Sequence, residues 1–263
     1  YYAPPAGYLA LCSANLPETA IDPAKDDIPA DYFNPVIFTA NNGTQSITGV
    51  GFQPDFVWAK SRGNAYNHDL YDSVRGVGRF LRSNNSGAES VVANTLTSFD
   101  SDGFTLGVDS NANYGTAASV SWNWKAGGTA VANTDGTIAS QVSANQKAGF
   151  SIVGYTGNGS NATVGHGLSS APEMIIFKNR TSSGNSWVVY SSELGATKYL
   201  LLSSADAAGT YNHFQNTTPT SSVAYITGGA TAVNANTNNY IAYCFHSVEG
   251  FSKFGSYTGN GSA

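Results

Sequence analysis

Residues 149–160 read GFSIVGYTGNGS, and residues 250–262 read GFSKFGSYTGNGS. Two near-copies about a hundred residues apart indicate an internal repeat, and a repeat sets the architecture of the whole chain. Only Ala263 follows the second copy. The pattern therefore predicts two complete units and the first strand of a third, in a polypeptide that continues beyond both ends of this sequence.

Other segments repeat at a spacing of about 120 residues. The matching pairs are 54–62 with 172–180, 79–81 with 198–200, and 120–125 with 241–246. In the last pair the large residues alternate, so they share one face of a strand and are expected to fill a core.

These matches predict an all-β chain of two tandem β-sandwich-like units. Its expected segments are the closing strand of a preceding domain (1–17), an acidic linker with prolines (18–33), unit 1 (34–125), a connecting hairpin along the junction of the units (126–148), unit 2 (149–248) and the start of unit 3 (249–263). About seven strands are expected per unit, because turn signals recur roughly every 8–12 residues, as in a sandwich or barrel. Residues 90–98 are the one stretch whose periodicity also allows a short helix.

Composition narrows the class of protein. Only 11% of the 263 residues are charged, far below the usual quarter, while 15 Tyr and 13 Phe argue against disorder. A net charge of −5 without a Lys/Arg cluster argues against nucleic-acid binding. No apolar run is long enough for membrane insertion. The two cysteines, Cys12 and Cys244, lie far apart in the chain and do not imply a disulfide scaffold.

No motif predicts catalysis or a metal site. Asp100, Asp102 and Gly103 resemble part of a calcium loop, but the later Glu is absent and a plain turn is the better interpretation. The four histidines have no metal-ligand spacing; they are His68, His166, His213 and His246. Asp55 and Glu173 are acids that recur between the units, and both are expected to be structural because they begin strands.

The tryptophans are the candidates for ligand binding. They are Trp58, Trp122, Trp124 and Trp187. An indole face could stack on the apolar face of a sugar ring. Three of the four lie in predicted core strands, so a core role is the competing and favoured interpretation.

Several joined motifs resemble a known family. They include PPAGYLALCSANLPE, GFQPDFVWAKSR, SWNWKAGGTAVANTDGTI, AGFSIVGYTGNGS and VEGFSKFGSYTGNGSA. Together they resemble repeat domains of unknown function in tail-fibre and other virion structural proteins of marine bacteriophages. Residues 1–17 resemble the end of a SPRY domain, a concanavalin-like sandwich. The resemblance implies a virion location, other virion proteins as partners and, by analogy, a homotrimer; it implies no catalytic residues and no cofactor.

Three functions remain open from the sequence. The favoured one is a non-enzymatic structural module of a virion fibre or surface appendage. A glycan-binding, lectin-like module for host adhesion is compatible with the same fold, and a polysaccharide depolymerase is the least favoured. The strand expected at 250–257 either begins a third unit, which is the favoured interpretation, or pairs with unit 2 or a neighbouring subunit by strand addition.

Overall fold

A computed structural model describes residues 19–108 and 110–261, and within them the regular structure is almost entirely β. The strands are β1 (Phe33–Thr39), β2 (Gln45–Thr48), β3 (Phe56–Ser61), β4 (Asp69–Asp72), β5 (Arg79–Arg82), β6 (Ser90–Val91), β7 (Leu96–Asp100), β8 (Gly103–Leu106), β9 (Ala118–Trp124), β10 (Val131–Asn133), β11 (Ser140–Asn145), β12 (Phe150–Thr156), β13 (Ala162–Gly165), β14 (Met174–Asn179), β15 (Val188–Ser191), β16 (Lys198–Leu201), β17 (Gly209–Thr210), β18 (Val223–Ile226) and β19 (Asn239–Phe245). Short 3₁₀ turns lie at Pro23–Lys25, Pro29–Asp31 and Asn111–Asn113. The predicted all-β class is therefore confirmed, while the strand expected within residues 1–17 lies outside the described residues.

The strand order repeats along the chain. One large sheet has the order β1-β9-β3-β4-β5-β6, and the other has the order β10-β11-β12-β19-β14-β15-β16-β17. From β12 onwards the second sheet copies the first, with the last strand of each unit inserted between its first and third strands. Two small sheets, β2-β8-β7 and β13-β18, accompany them. The similar sequences thus pair in the same way.

The hairpin in segment 126–148 joins the second large sheet. Strand β10 pairs with β11, and β11 pairs antiparallel with β12 along its full length. Asn133 Oδ1 accepts a hydrogen bond from the Asp135 amide at 3.0 Å, which closes the turn. The hairpin therefore widens the sheet of unit 2 and covers an edge that would otherwise be unpaired.

Residues 90–98 form no helix. Strand β6 pairs with β5, and β7 pairs with β8, so the helical alternative is wrong. The stretch contains β-branched residues, including Val91, Val92 and Thr95. Such side chains pack well on a pleated surface. Pairing with the neighbouring strands here favours the strand period of two residues over the helical period.

Each large sheet is buried on both faces. In β3, Val57 and Ala59 pack against the small sheet of unit 1, whereas Phe56 and Trp58 point the other way. The same alternation in β19 sends one set of side chains to the core of unit 2 and the other set towards unit 1. The protein is consequently four layers deep, with a third core between the two large sheets.

The alternating aromatic residues of the repeat fill this third core. Tyr243 and Phe245 of β19 are 1% and 9% exposed there, and Trp124 of β9 packs against the same cluster. The expectation that these residues share one face is confirmed by the strands. The core that they fill lies between the units, because both faces of each large sheet carry apolar side chains.

The segment expected to form a strand at 250–257 forms none. A single antiparallel bridge joins Val248 to Ser252, and the described residues that follow are irregular. Phe254 packs against Phe245 with ring centroids 5.8 Å apart, and Phe251 meets the Tyr32 ring edge-on at 6.2 Å. Its counterpart β12 has β11 and β19 beside it, whereas no strand of the described chain lies beside 253–261. Phe251 and Phe254 therefore pack against the junction of the units, while residues 255–261 are exposed.

Candidate functional site

The third core opens into a cleft of about 340 Å³, which we call the junction cleft. Its walls include Phe56, Trp58 and Trp124 from unit 1 and Phe150, Ile176 and Phe245 from unit 2. Phe251 and Phe254 border it from the C-terminal segment. The cleft exists because the two large sheets pack face to face and their outer aromatic side chains do not fill the space completely.

The aromatic walls are held by contacts among themselves. The Phe56 ring stacks on Tyr243 with centroids 4.2 Å apart and lies 5.0 Å from Trp124. Phe150 lies 4.8 Å from Phe245. Such ring pairs add to the energy of burial, so the walls are preorganised.

One buried polar group in the cleft lacks a partner. His246 is 8% exposed and lines the cleft. Its Nδ1 lies 2.8 Å from the Ser247 carbonyl oxygen, which can only accept, so Nδ1 carries the proton. Nε2 has no hydrogen-bond partner among the described residues.

The first glycine of the repeated motif allows the imidazole to lie there. Gly149 has a φ of +65°, and its carbonyl accepts the His246 amide at 2.9 Å. A Cβ at this position would come within 2.6 Å of the His246 carbonyl oxygen and 3.0 Å of Cε1. Only glycine suits both the backbone conformation and the close approach.

Two of the four predicted tryptophan candidates reach the cleft. Trp58 and Trp124 are half-buried in its wall. Trp122 packs edge-on against Trp58 at 6.4 Å but does not line the cleft. Trp187 is fully buried and donates from Nε1 to the Arg82 carbonyl at 2.8 Å. Trp187 therefore cannot stack on a ligand. It has the core role that the sequence favoured.

The other histidines lie apart from the cleft. His68 Nδ1 accepts from Trp58 Nε1 at 2.8 Å, and His166 Nδ1 accepts from the Leu168 amide at 3.2 Å. Burial lowers the pKa of both. His213 lies among Tyr199, Tyr211 and Phe214, and burial lowers its pKa to about 4. In the described part of the chain, no three His, Cys, Asp or Glu residues are arranged to hold a metal ion.

The recurring acids bind backbone amides. Asp55 Oδ2 accepts from the amides of Ala126 and Gly128 at 2.8 and 3.2 Å. Glu173 accepts from the Ser247 amide and hydroxyl at 3.0 and 2.7 Å. Both carboxylates thus fasten the residues that follow the last strand of their unit.

The candidate calcium residues also have local partners. Asp102 accepts from the amides of Gly51 and Gly49 at 2.6 and 3.0 Å, and these bonds lower its pKa. Asp100 accepts from the Thr105 hydroxyl at 2.7 Å. The hydrogen bonds are those of a closed turn, with the carboxylate of Asp102 directed at main-chain amides.

A buried ionic network across the junction was not predicted. Arg75 is completely buried; it donates to Asp72 at 2.5 Å and to the Leu70 carbonyl at 2.8 Å. The Tyr243 hydroxyl, from unit 2, donates to the same Asp72 oxygen at 2.7 Å. A comparison of the two units could have indicated this network, because the charged residues Asp72 and Arg75 of unit 1 correspond to the uncharged Ser191 and Leu194 of unit 2.

A second ion pair reinforces this link. Arg180 of unit 2 donates from Nε and Nη2 to the two carboxylate oxygens of Glu89 at 3.0 and 2.8 Å. Burial opposes the charge of Glu89, but the hydrogen bond from Arg180 and the nearby arginines hold its pKa below the ordinary value. The two units are therefore connected by polar as well as apolar contacts.

Two further reactive groups are too deeply buried for chemistry at the surface. Lys178 is fully buried; its Nζ donates to the Asn185 carbonyl at 2.5 Å, and burial lowers its pKa to about 8. Cys244 is 1% exposed, and burial raises the pKa of its thiol to about 12. Both side chains lie inside the second large sheet, so neither is a candidate nucleophile.

Comparisons with known proteins place the chain in a family without assigning an activity. The sequence model of a domain of unknown function, DUF7483, matches residues 28–263. No curated protein and no solved structure is significantly similar to the chain. Among the described residues, no helix is both long and apolar enough to cross a membrane.

Proposed function

The chain belongs to the DUF7483 family, and we propose that it is a non-enzymatic structural module of a phage virion fibre or another surface appendage. The observation that carries this proposal is the fusion of two repeated units through a shared core and a buried ionic network. A fibre must hold successive units in one orientation under load. Burial on both faces of each large sheet provides that rigidity.

The sequence supports the virion setting. Its motifs resemble repeat domains of marine phage virion proteins, and residues 1–17 resemble the end of a SPRY domain. On this proposal, the partners are other virion proteins and further copies of the chain, as a homotrimer by analogy with fibres.

Detection of the polypeptide in purified particles tests the location. Mass spectrometry of particles that encode this chain should find it among the virion proteins, and antibodies against it should label an appendage in negative-stain images. Particles that lack the polypeptide would contradict the proposal. Light scattering of the recombinant chain tests the trimer separately.

Adhesion to a host glycan is the second candidate function. It is favoured by the half-buried Trp58 and Trp124, whose rings reach an open cleft. Glycan arrays and titration with host lipopolysaccharide test it, and saturable binding that is lost in Trp58→Ala would support it. Flat binding curves at millimolar sugar would contradict glycan binding and leave the structural role as the remaining proposal.

Polysaccharide depolymerisation has the weakest support. Asp55 and Glu173, the recurring acids, are both engaged with backbone amides. Incubation with host capsule followed by size-exclusion chromatography is the direct test. Release of discrete oligosaccharides would overturn the non-enzymatic proposal.

A further inference from the structure

We propose that a second copy of this chain docks head to tail on an apolar patch that unit 1 leaves uncovered. We call this surface the β1–β9 patch, and it consists of Pro35, Ile37, Val120 and Trp122. The matching surface of the second copy is the β16 end of unit 2, formed by Leu200, Leu202 and loop 203–208. This inference goes beyond the structural role, because a rigid module can be monomeric, and it does not depend on a location in a virion.

The β1–β9 patch is the uncovered continuation of the junction face. A row of neighbouring side chains, one from each strand, crosses this face from β5 to β1 in the order Leu81, Leu70, Trp58, Trp122 and Pro35. Leu81 and Leu70 are each 1% exposed in the junction core. The two tryptophans are half-buried, and Pro35 is exposed. Burial therefore decreases towards β1, where unit 2 no longer covers the sheet.

Unit 2 shows what covers the equivalent surface. By strand register, Ile152 and Tyr243 occupy the places of Pro35 and Trp122. They are 0% and 1% exposed. Phe56 of unit 1 stacks on the Tyr243 ring with centroids 4.2 Å apart. The partner that fits this half of the face is therefore the β3–β5 side of another unit, which identifies a further copy of the repeat as the occupant.

Unit 2 keeps the corresponding side partly uncovered. Leu200 of β16 occupies the place of Leu81 and is half-buried, whereas Leu81 is 1% exposed. Leu202, two residues further along, is 36% exposed. Unit 1 is thus open at its β1 end and unit 2 at its β16 end. A contact between these two ends of different copies would continue the relation that joins unit 1 to unit 2.

The new contact differs from the internal junction at one point. A Cβ at Gly154 of unit 2 would lie 3.1 Å from Val74 Cγ1, so the glycine lets this turn of unit 1 come close. The patch has Ile37 at the place of Gly154, and the second copy has the exposed Glu193 at the place of Val74. The turn of the second copy therefore stays further from the sheet, and the apolar contact falls to the β16 side chains.

Charged residues lie at matching places on the two surfaces. Inside the chain, Arg180 of unit 2 binds both carboxylate oxygens of Glu89. Arg62 occupies the place of Arg180 in unit 1; it is exposed and forms no ion pair within the described ranges 19–108 and 110–261. Loop 203–208 corresponds to the loop that carries Glu89, and Asp206 is its one acid. The opposite charges favour a head-to-tail contact between Arg62 and Asp206.

The open edge of β1 disfavours the alternative of strand addition. The Ala40 amide donates to the Ala117 carbonyl at 3.0 Å, which directs the even-numbered residues of β1 towards β9 and leaves Pro35 on the open edge. Proline has no N–H to donate to an added strand. In unit 2 the same place holds Ile152, and there β11 does pair with the edge. A partner of unit 1 therefore approaches through the face of the sheet.

Sedimentation velocity of the whole chain, from about 1 µM to 1 mM, tests the proposal. The patch is small, so we expect a dissociation constant weaker than about 1 µM. Each head-to-tail contact leaves one free surface of each kind, so association should pass beyond the dimer and give a closed ring or a filament.

A charge placed in the patch should weaken this association. Ile37→Asp is expected to raise the dissociation constant at least about tenfold, because a carboxylate would be buried against apolar side chains. Val131→Asp is the matched control. Val131 is 65% exposed, as is Ile37, but it lies on β10, at the opposite end of its sheet from β16. The control should change the constant less than about twofold.

Exchange of the two charges tests the partner surface. Arg62→Glu and Asp206→Arg should each weaken association by about fivefold. The two substitutions in one chain should restore it to within about twofold of wild type, because the opposite charges then face each other again. Rescue of this kind requires that the two residues meet across a head-to-tail contact.

Four results would overturn the inference. They are a monomer at every concentration, a dimer as the final species, equal effects of Ile37→Asp and Val131→Asp, or a charge-exchanged chain no better than the single variants. A dimer would mean that the patch pairs with itself, and a monomer that a second copy is not its occupant. The wild-type measurement does not depend on the folding of any variant, and failure here would leave the virion location to its own test on particles.

Discussion

Replacing Arg75 with leucine should separate the contribution of the buried ionic network from that of the apolar junction. The Arg75 side chain is fully buried, and it donates to Asp72, to the Leu70 carbonyl and, at 3.4 Å, to the Tyr243 hydroxyl. Leucine places an apolar side chain at this position, as unit 2 does with Leu194. What it removes is the charge that balances Asp72.

The expected loss in free energy of unfolding is about 3–5 kcal/mol, the usual cost of leaving one partner of a buried pair without the other. For a chain of this size, that corresponds to a fall in melting temperature of roughly 6–20 °C. Arg79→Leu is the control, because Arg79 contacts Glu89 at 3.3 Å but its side chain is 41% exposed. Its loss should be below about 1 kcal/mol.

The repeat suggests the compensating variant. Asp72→Ser combined with Arg75→Leu installs the residues of unit 2, Ser191 and Leu194, at the matching positions. With no buried carboxylate left unpaired, the double variant should be about 2 kcal/mol more stable than Arg75→Leu alone. With Asp72→Ser measured alone as well, the departure from additivity gives the coupling of the two residues.

Urea denaturation followed by tryptophan fluorescence and by circular dichroism gives these free energies. Two outcomes would refute the reasoning: Arg75→Leu within about 1 kcal/mol of wild type, or a double variant no more stable than the single one. Either would mean that leaving the Asp72 carboxylate without Arg75 costs the fold little.

Three further predictions concern other parts of the structure. Asp55→Asn should lower the free energy of unfolding, measured in urea, by about 1–3 kcal/mol, because the buried Asp55 carboxylate accepts hydrogen bonds from two main-chain amides. Asp102→Asn, at an exposed carboxylate, is the control and should lower it by less than about 1 kcal/mol. Equal losses would contradict the role of burial. Deleting residues 250–263, or Phe254→Ala alone, should lower the melting temperature, since Phe254 packs on the junction core, and an unchanged transition would show that the segment does not stabilise the fold. His213 has a pKa of about 4 in the fold against an ordinary value of 6.5. Between these pH values the unfolded chain binds one proton more than the fold, so the free energy of unfolding falls as the pH drops from 6.5 to 4. His213→Phe should flatten that part of the profile of stability against pH, and slopes identical to wild type would contradict the assignment.

Local sequence patterns were enough to predict the all-β class and most of the strands. The repeat predicted the equivalence of β3 with β14, β5 with β16 and β9 with β19, and all three pairs occupy the same places in their sheets. This works because strand periodicity and turn residues are local properties that survive from one unit to the next. The short strands β6 and β7 were missed, since their pairing partners, not their own residues, decide their conformation.

What the second face of each large sheet contacts depends on packing between segments that are distant in the chain. Alternation in 120–125 and 241–246 indicates a buried face, but it does not say whether that face belongs to its own unit or to a junction. The junction cleft combines residues from Tyr32 to Phe254, most of them ordinary apolar residues in their local sequence. The unpartnered nitrogen of His246 likewise arises from packing, because a hydrogen bond is lost or made in space and no spacing along the chain records it.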